Sequence, residues 1–268
     1  MPRANRHYMP GHVWHITHRC HKKEFLLKFA KDRQGWLNWL FEAKKRYGLV
    51  ILNYMATSNH IHLLIYDRDG GEVIPKSVQL AAGRTAQQHN QRKNRKGAFW
   101  EDRYHATAVQ TDEHLVQCIV YMDLNMVRAG VVQHPSQWPH SGYGEIQNAP
   151  ERYRLIDRNA LMQLLGIGGS EQLSLSHRSW VEEALESKGK MRESRWSESI
   201  AVGSLSFVEQ VKTDLGARGF GRKITSSAAG HELREPQESY DDHFGCQKAP
   251  LNPENELIWH IYDDIPMY

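Results

Sequence analysis

Two histidines one residue apart, His60 and His62 in the run Ser58-Asn59-His60-Ile61-His62-Leu63-Leu64-Ile65, have the types and spacing for metal chemistry. Residues i and i+2 of a strand project from one face, so both imidazoles point together while Ile61 faces away. Two imidazoles held this way can bind a divalent cation once a third donor is found. Farther along, Tyr121 and Asn125 stand four residues apart on an expected helix, which makes them neighbours on one of its faces. An amide oxygen can be the third donor. A tyrosine hydroxyl brought beside the metal can attack a phosphodiester. Each position also has a plain structural reading: a half-exposed strand with two polar residues, a partly buried ring with its hydroxyl at the rim, and a polar residue near a helix end. With 16 histidines in the chain, chance pairs are common, and His15 and His18 lie close together on another expected strand.

The elements that must position these groups follow from periodicity. His12 to Arg19 alternates and is rich in β formers, which predicts a first strand. Phe29 to Tyr47 has a helical apolar period that stops at Gly48. Leu49 to Met55 reads as a buried strand, Thr57-Ser58-Asn59 as a turn, and Ile61 to Tyr66 as the return strand of a hairpin. Residues 73–91 read as a helix, with Pro75 tolerated in its first turn. A basic loop follows, and residues 98–109 hold a further strand. Thr111 is the expected N-cap hydroxyl of the next helix, with Asp112 and Glu113 in its first turn and an end near Arg128 before Gly130. On that helix Leu115, Ile119, Met122 and Met126 form a core stripe, and Gln117, Tyr121, Asn125 and Arg128 a second one. The order of elements predicts an α+β domain, an antiparallel sheet with helices packed on one face.

Past residue 145 the composition changes. Helical periodicity over 155–165, 177–188 and 205–215 is interrupted by glycine-rich breaks at 166–169 and 216–221. Residues 225–252 lack periodicity, and Leu257-Ile258-Trp259-His260-Ile261-Tyr262 is an isolated apolar patch. The expected organisation is therefore a catalytic domain over 1–149, a helical module over 150–224, and a flexible tail over 225–268 with a short apolar docking segment. The net charge of +3 divides unevenly: residues 1–150 hold 20 Lys and Arg against 12 Asp and Glu, while the remainder is acidic. A basic front half suits a polyanion. No apolar run reaches membrane-span length, and Met1 to Tyr8 has no secretory h-region. Cys20, Cys118 and Cys246 form neither a zinc motif nor a disulfide framework. Together these features predict a reducing, cytoplasmic setting and no membrane partner.

Three segments taken together resemble a known family: Asn59-His60-Ile61-His62-Leu63-Leu64, then Phe99-Trp100-Glu101-Asp102-Arg103-Tyr104-His105, then Tyr121-Met122-Asp123-Leu124-Asn125-Met126-Val127-Arg128-Ala129-Gly130. In order and spacing they resemble the REP-associated tyrosine transposases, relatives of the single-tyrosine insertion-sequence transposases in the HUH endonuclease superfamily. Trp138-Pro139-His140-Ser141-Gly142-Tyr143 is similar to the closing segment of that domain. The resemblance covers roughly residues 8–145.

The resemblance implies a ferredoxin-like HUH fold with His60 and His62 as the metal pair, Asn125 as the third ligand and Tyr121 as the nucleophile. It implies a 5′-phosphotyrosine intermediate on single-stranded or hairpin DNA from palindromic repeats. Two imidazoles and an amide oxygen accept Mg²⁺ or Mn²⁺, and ligand type alone also admits zinc. The family usually has proline after the asparagine, where this chain has Met126. That change relaxes the backbone and removes no reactive group. Arg92, Lys93, Arg95, Lys96 and Arg103, interleaved with aromatic residues, are candidate DNA contacts, with Arg3 and Arg6 as a second group near His7. Two other readings stand beside the transposase: a DNA-binding protein that kept the fold without the activity, and a metallohydrolase using an activated water. Monomer and homodimer are both compatible with the sequence.

Overall fold

The computed structural model describes residues 9–187, 193–227 and 230–235, all within one compact unit. Arg3, Arg6, His7, Cys246 and the apolar patch at Leu257 to Tyr262 lie outside the described residues.

The described chain begins with strand β1 (His12–Arg19), helix α1 (Ala30–Tyr47), hairpin strands β2 (Val50–Ala56) and β3 (His60–Asp67), helix α2 (Val73–Arg92) and strand β4 (His105–Val109). Helices α3 (Glu113–Asp123), α4 (Asn125–Arg128), α5 (Tyr143–Gln147), α6 (Arg158–Leu165), α7 (Ser170–Glu186) and α8 (Arg195–Glu198) follow. Strand β5 (Ser199–Gly203), helix α9 (Leu205–Asp214) and strands β6 (Lys223–Ser227) and β7 (Gly230–Arg234) complete the described order. The seven strands form one sheet in the order β2-β3-β1-β4-β5-β7-β6, antiparallel except between β4 and β5. The fold is α+β, as the sequence predicts, and the first four strands take the ferredoxin-like order.

β2 is buried along its whole length, because sheet neighbours and helices cover both of its faces. On β1, His15 and Thr17 project to one face and His18 to the other. His18 stacks on Trp100, whose indole donates to the carbonyl of Ala82 on α2. The opposite face carries Asn53, which bonds to Asp123 of α3. Helices therefore pack on both faces of the sheet, whereas the sequence predicts one.

Two further differences bear on the site. The helix expected from Thr111 to about Arg128 is two helices, broken at Leu124, whose ψ of 1° takes the chain out of the helical path. Its cap is Asp112, not Thr111: the Asp112 carboxylate accepts from the His114 backbone N–H. Nor does the chain beyond residue 149 form a separate helical module. β5 pairs with β4, so the later residues extend the same sheet, and residues 225–227 and 230–234 of the expected tail are strand.

Candidate active site

β3 and β1 meet in a register that sets Thr17 opposite His62 and Arg19 opposite His60. Paired residues share a face, so His60, His62, His15, Thr17 and Arg19 form one polar patch on the sheet. α3 and α4 lie across it and bring in Tyr121 and Asn125. The four residues singled out from the sequence therefore meet. They border a cleft of about 1040 Å³ that Arg103 and Arg128 also line.

The hairpin turn fixes His60. Thr57 Oγ1 donates to the His60 carbonyl, and Asn59 Nδ2 donates to the carbonyl of Lys23. That second bond turns Asn59 Oδ1 toward His60 Nδ1, 2.7 Å away, so Nδ1 carries the proton. The lone pair of the neutral ring is then on Nε2. His62 lies 4.9 Å from His60 between ring centroids and is 3% exposed. Its Nε2 is 3.0 Å from the Asn125 amide nitrogen, and its Nδ1 is 2.9 Å from His15 Nε2. Burial pushes His62 well below the ordinary imidazole range, and the charges of His60, His15, Arg128 and Arg19 add to the effect. His15, fully buried, is lowered to about 3 by the same desolvation, against which the Trp196 carbonyl bond works.

Tyr121 is 6% exposed and packs edge-on to His62 and His15, with ring centroids 6.1 and 6.4 Å away, while Trp196 lies 6.0 Å off. The guanidinium of Arg128 sits 4.1 Å over the Tyr121 ring and donates to the Tyr121 carbonyl at 2.6 Å. The break at Leu124 makes this geometry, since it lets the second short helix fold its arginine back over the first.

The donor set suits a divalent cation. His62 Nε2 and the Asn125 amide converge on one point, and half a turn of that amide presents Oδ1 instead of Nδ2. His60 stands beside them. Among the described residues no group of three or more His, Cys, Asp or Glu is arranged to hold a metal, and the donor standing beside the two imidazoles is the Asn125 amide.

The expected DNA contacts divide. Arg103 is exposed at the cleft and Lys96 is exposed on the loop. Lys93 lies 5.0 Å over the ring of Phe29. Arg92 pairs with the buried carboxylate of Asp32, and Arg95 donates to the Ala98 carbonyl and reaches Glu24. The last two are engaged in holding the loop. Phe99 is core, 3% exposed, and Trp100 is stacked on His18, so neither ring is presented for base stacking.

Sequence reasoning passed over His15 and Trp196. His15 was visible only as one of a pair with His18, and the strand alternation sends those two to opposite faces. Nothing local marks Trp196, which follows the site by more than 70 residues and arrives through the β5 pairing.

A family model described as "Transposase IS200 like" matches residues 9–122. Among solved structures, a REP-associated tyrosine transposase bound to a REP hairpin is similar at 19% identity, over 54% of this chain and 84% of that one, with a TM-score of 0.43. A protein of Deinococcus radiodurans R1, assigned as a transposase, is similar at 18% identity over 42% of this chain and 88% of that one, with a TM-score of 0.32. No curated protein sequence matches the chain. Residues 9–122, somewhat less than half of the chain, thus carry the sequence pattern of the IS200-like transposases.

Proposed function

We propose that the chain cleaves and rejoins single-stranded DNA through Tyr121, with hairpin-forming repeats as substrate. The observation that carries this reading is the convergence of His60, His62, Tyr121 and Asn125 on one cleft, from a strand and two helices far apart in sequence. His60, His62 and Asn125 would hold Mg²⁺ or Mn²⁺. Bound there, such an ion polarises the scissile phosphate and offsets the charge that develops on it.

The chain's own groups do the rest. The Tyr121 oxygen forms a bond to phosphorus as the bond from phosphorus to the 3′-oxygen breaks. Tyrosine loses its proton, the departing oxygen gains one, and a 5′-phosphotyrosine remains. The free energy of the broken ester is kept in the new one, so a second 3′-hydroxyl can reverse the step without ATP. Arg128 sets a positive charge against the ring on which the phenolate develops. Arg19 and Arg103 at the cleft, with Lys93 and Lys96 beyond, offer phosphate contacts along a strand.

Tyr121→Phe on a labelled hairpin oligonucleotide tests the reading. The covalent adduct should vanish while hairpin affinity changes by no more than about threefold, since one hydroxyl is lost and no phosphate contact. An undiminished adduct overturns the assignment. Cleavage by the wild type without any adduct would point to an activated water, and binding without cleavage to a DNA-binding protein on this fold.

A further inference from the structure

His15 has no part in the chemistry above, yet it is wholly buried between the site and the C-terminal half of the chain. Its Nδ1 lies 2.7 Å from the carbonyl oxygen of Trp196, and its Nε2 lies 2.9 Å from His62 Nδ1. The two rings are nearly parallel, with an interplanar angle of 2°.

These contacts fix proton positions one after another. A carbonyl oxygen only accepts, so His15 Nδ1 is the donor in the first bond. A neutral imidazole carries a single N–H, so His15 Nε2 can only accept. His62 Nδ1 must then donate to it, and the lone pair of His62 is left on Nε2. That is the nitrogen facing Asn125 in the cleft. Were the His62 proton on Nε2 instead, two acceptor nitrogens would face each other in a dry interior, and no ligand would be presented to the cleft.

We infer that His15, itself locked by the Trp196 backbone carbonyl, is a positioning residue that selects the metal-ligating tautomer of His62. This rests on the metal reading above and deepens it. Trp196 lies outside residues 9–122, so the group that sets the tautomer is supplied by the portion of the chain beyond the matched family segment. A ligand histidine commonly donates its other N–H to a carbonyl or carboxylate, and loss of such a partner weakens metal affinity by roughly 10- to 100-fold. Here a second imidazole stands between the ligand and the carbonyl and passes on the hydrogen-bond polarity.

The full chain should be titrated with Mn²⁺ alone by calorimetry, and the ring nitrogens of His62 observed by ¹⁵N NMR in the metal-free protein. Wild type should show His62 protonated on Nδ1. His15→Leu, which offers neither donor nor acceptor, should lose about 10- to 100-fold in Mn²⁺ affinity and show mixed His62 tautomers. His15→Gln carries both an acceptor oxygen and a donor nitrogen. It should hold the Nδ1–H tautomer and stay within about threefold of wild-type affinity. A folded His15→Leu with wild-type affinity, or a wild-type His62 protonated on Nε2, overturns the proposal. If His15→Leu does not fold, the wild-type tautomer and the His15→Gln titration decide it. His62→Ala separates the two readings: unchanged Mn²⁺ affinity there overturns the metal site itself, whereas lost affinity in His62→Ala with none lost in His15→Leu overturns only the role of His15.

Discussion

His60 and His62 are two residues apart, but their surroundings differ. His60 is half-buried at the cleft and held by its own turn, through Thr57 and Asn59. His62 is buried and held by side chains from β1 and α4. Burial keeps a histidine neutral, and the same physics applies away from the site at His140. Desolvation, with a smaller push from the charge of Arg33, lowers His140 from 6.5 to about 4. Between those values the unfolded chain binds more protons than the folded one, so stability falls as pH drops from about 6.5 toward 4. This one group raises the unfolded fraction by at most about tenfold per pH unit. His140→Leu should accordingly show a smaller fall in Tm between pH 7 and pH 4.5 than wild type does. Parallel Tm profiles would show that His140 carries no part of the acid sensitivity.

Elements bring these residues together through two tight crossings. One is the break at Leu124, which turns α3 into α4 and lets Arg128 reach back over Tyr121. Met126 is 3% exposed in the core at this break, so an apolar side chain anchors it. The other is the crossing of the Trp138-to-Tyr143 segment over β2. Trp138 donates to the Ala56 carbonyl, and the Gly142 N–H donates to the Tyr54 carbonyl at 2.8 Å. A Cβ at Gly142 would overlap Asn53 Oδ1, the oxygen that accepts from the Tyr54 N–H. Gly142 is needed here for close approach and not for its backbone angles, since its φ is −72°. Gly142→Ala should cost about 1–3 kcal/mol, the usual cost of overpacking a dense interior, and denaturant unfolding would measure it. A loss below about 0.5 kcal/mol, the scatter of ordinary surface substitutions, would mean that the segment can move away.

For the whole molecule, the described part of the C-terminal half belongs to the same compact unit as the candidate site. His177 of α7 meets Asp123 at 2.7 Å with both side chains essentially sealed from water, and Asn53 and Gln147 complete the network. The Ser199 carbonyl accepts from Thr107 at 2.6 Å and lies 2.9 Å from His105 Nε2. A chain ending at Ala149 would strip Asp123 of His177 and uncover Leu124 and Tyr143, which pack against Val181 of α7, at a cost of about 1.5–3 kcal/mol for each large apolar side chain fully exposed. It would also open the β4 edge. Against a typical domain stability of about 5–15 kcal/mol, that truncation should abolish cooperative unfolding by circular dichroism and, with it, the DNA adduct. A truncated chain that melts cooperatively within a few degrees of the full one would show that the halves are independent.

By itself the sequence determined the α+β class, the elements from β1 to α3, and the candidate quartet of His60, His62, Tyr121 and Asn125. Those signals are local: the period-2 and period-3.6 patterns, turn residues beside Asn59, and a glycine stop at Gly48. The tertiary structure decided what depends on register and long-range pairing. Which face His15 takes is a matter of alternation, but that it meets His62 follows only from the β1–β3 register. β5 is five residues long and pairs with a strand some 90 residues earlier, and β6 is polar and largely exposed, so neither has a sequence pattern of its own. Trp196 reaches the site only because that pairing carries α8 against the sheet. A backbone carbonyl has no residue identity, so its alignment with an imidazole could be fixed only by the folded chain.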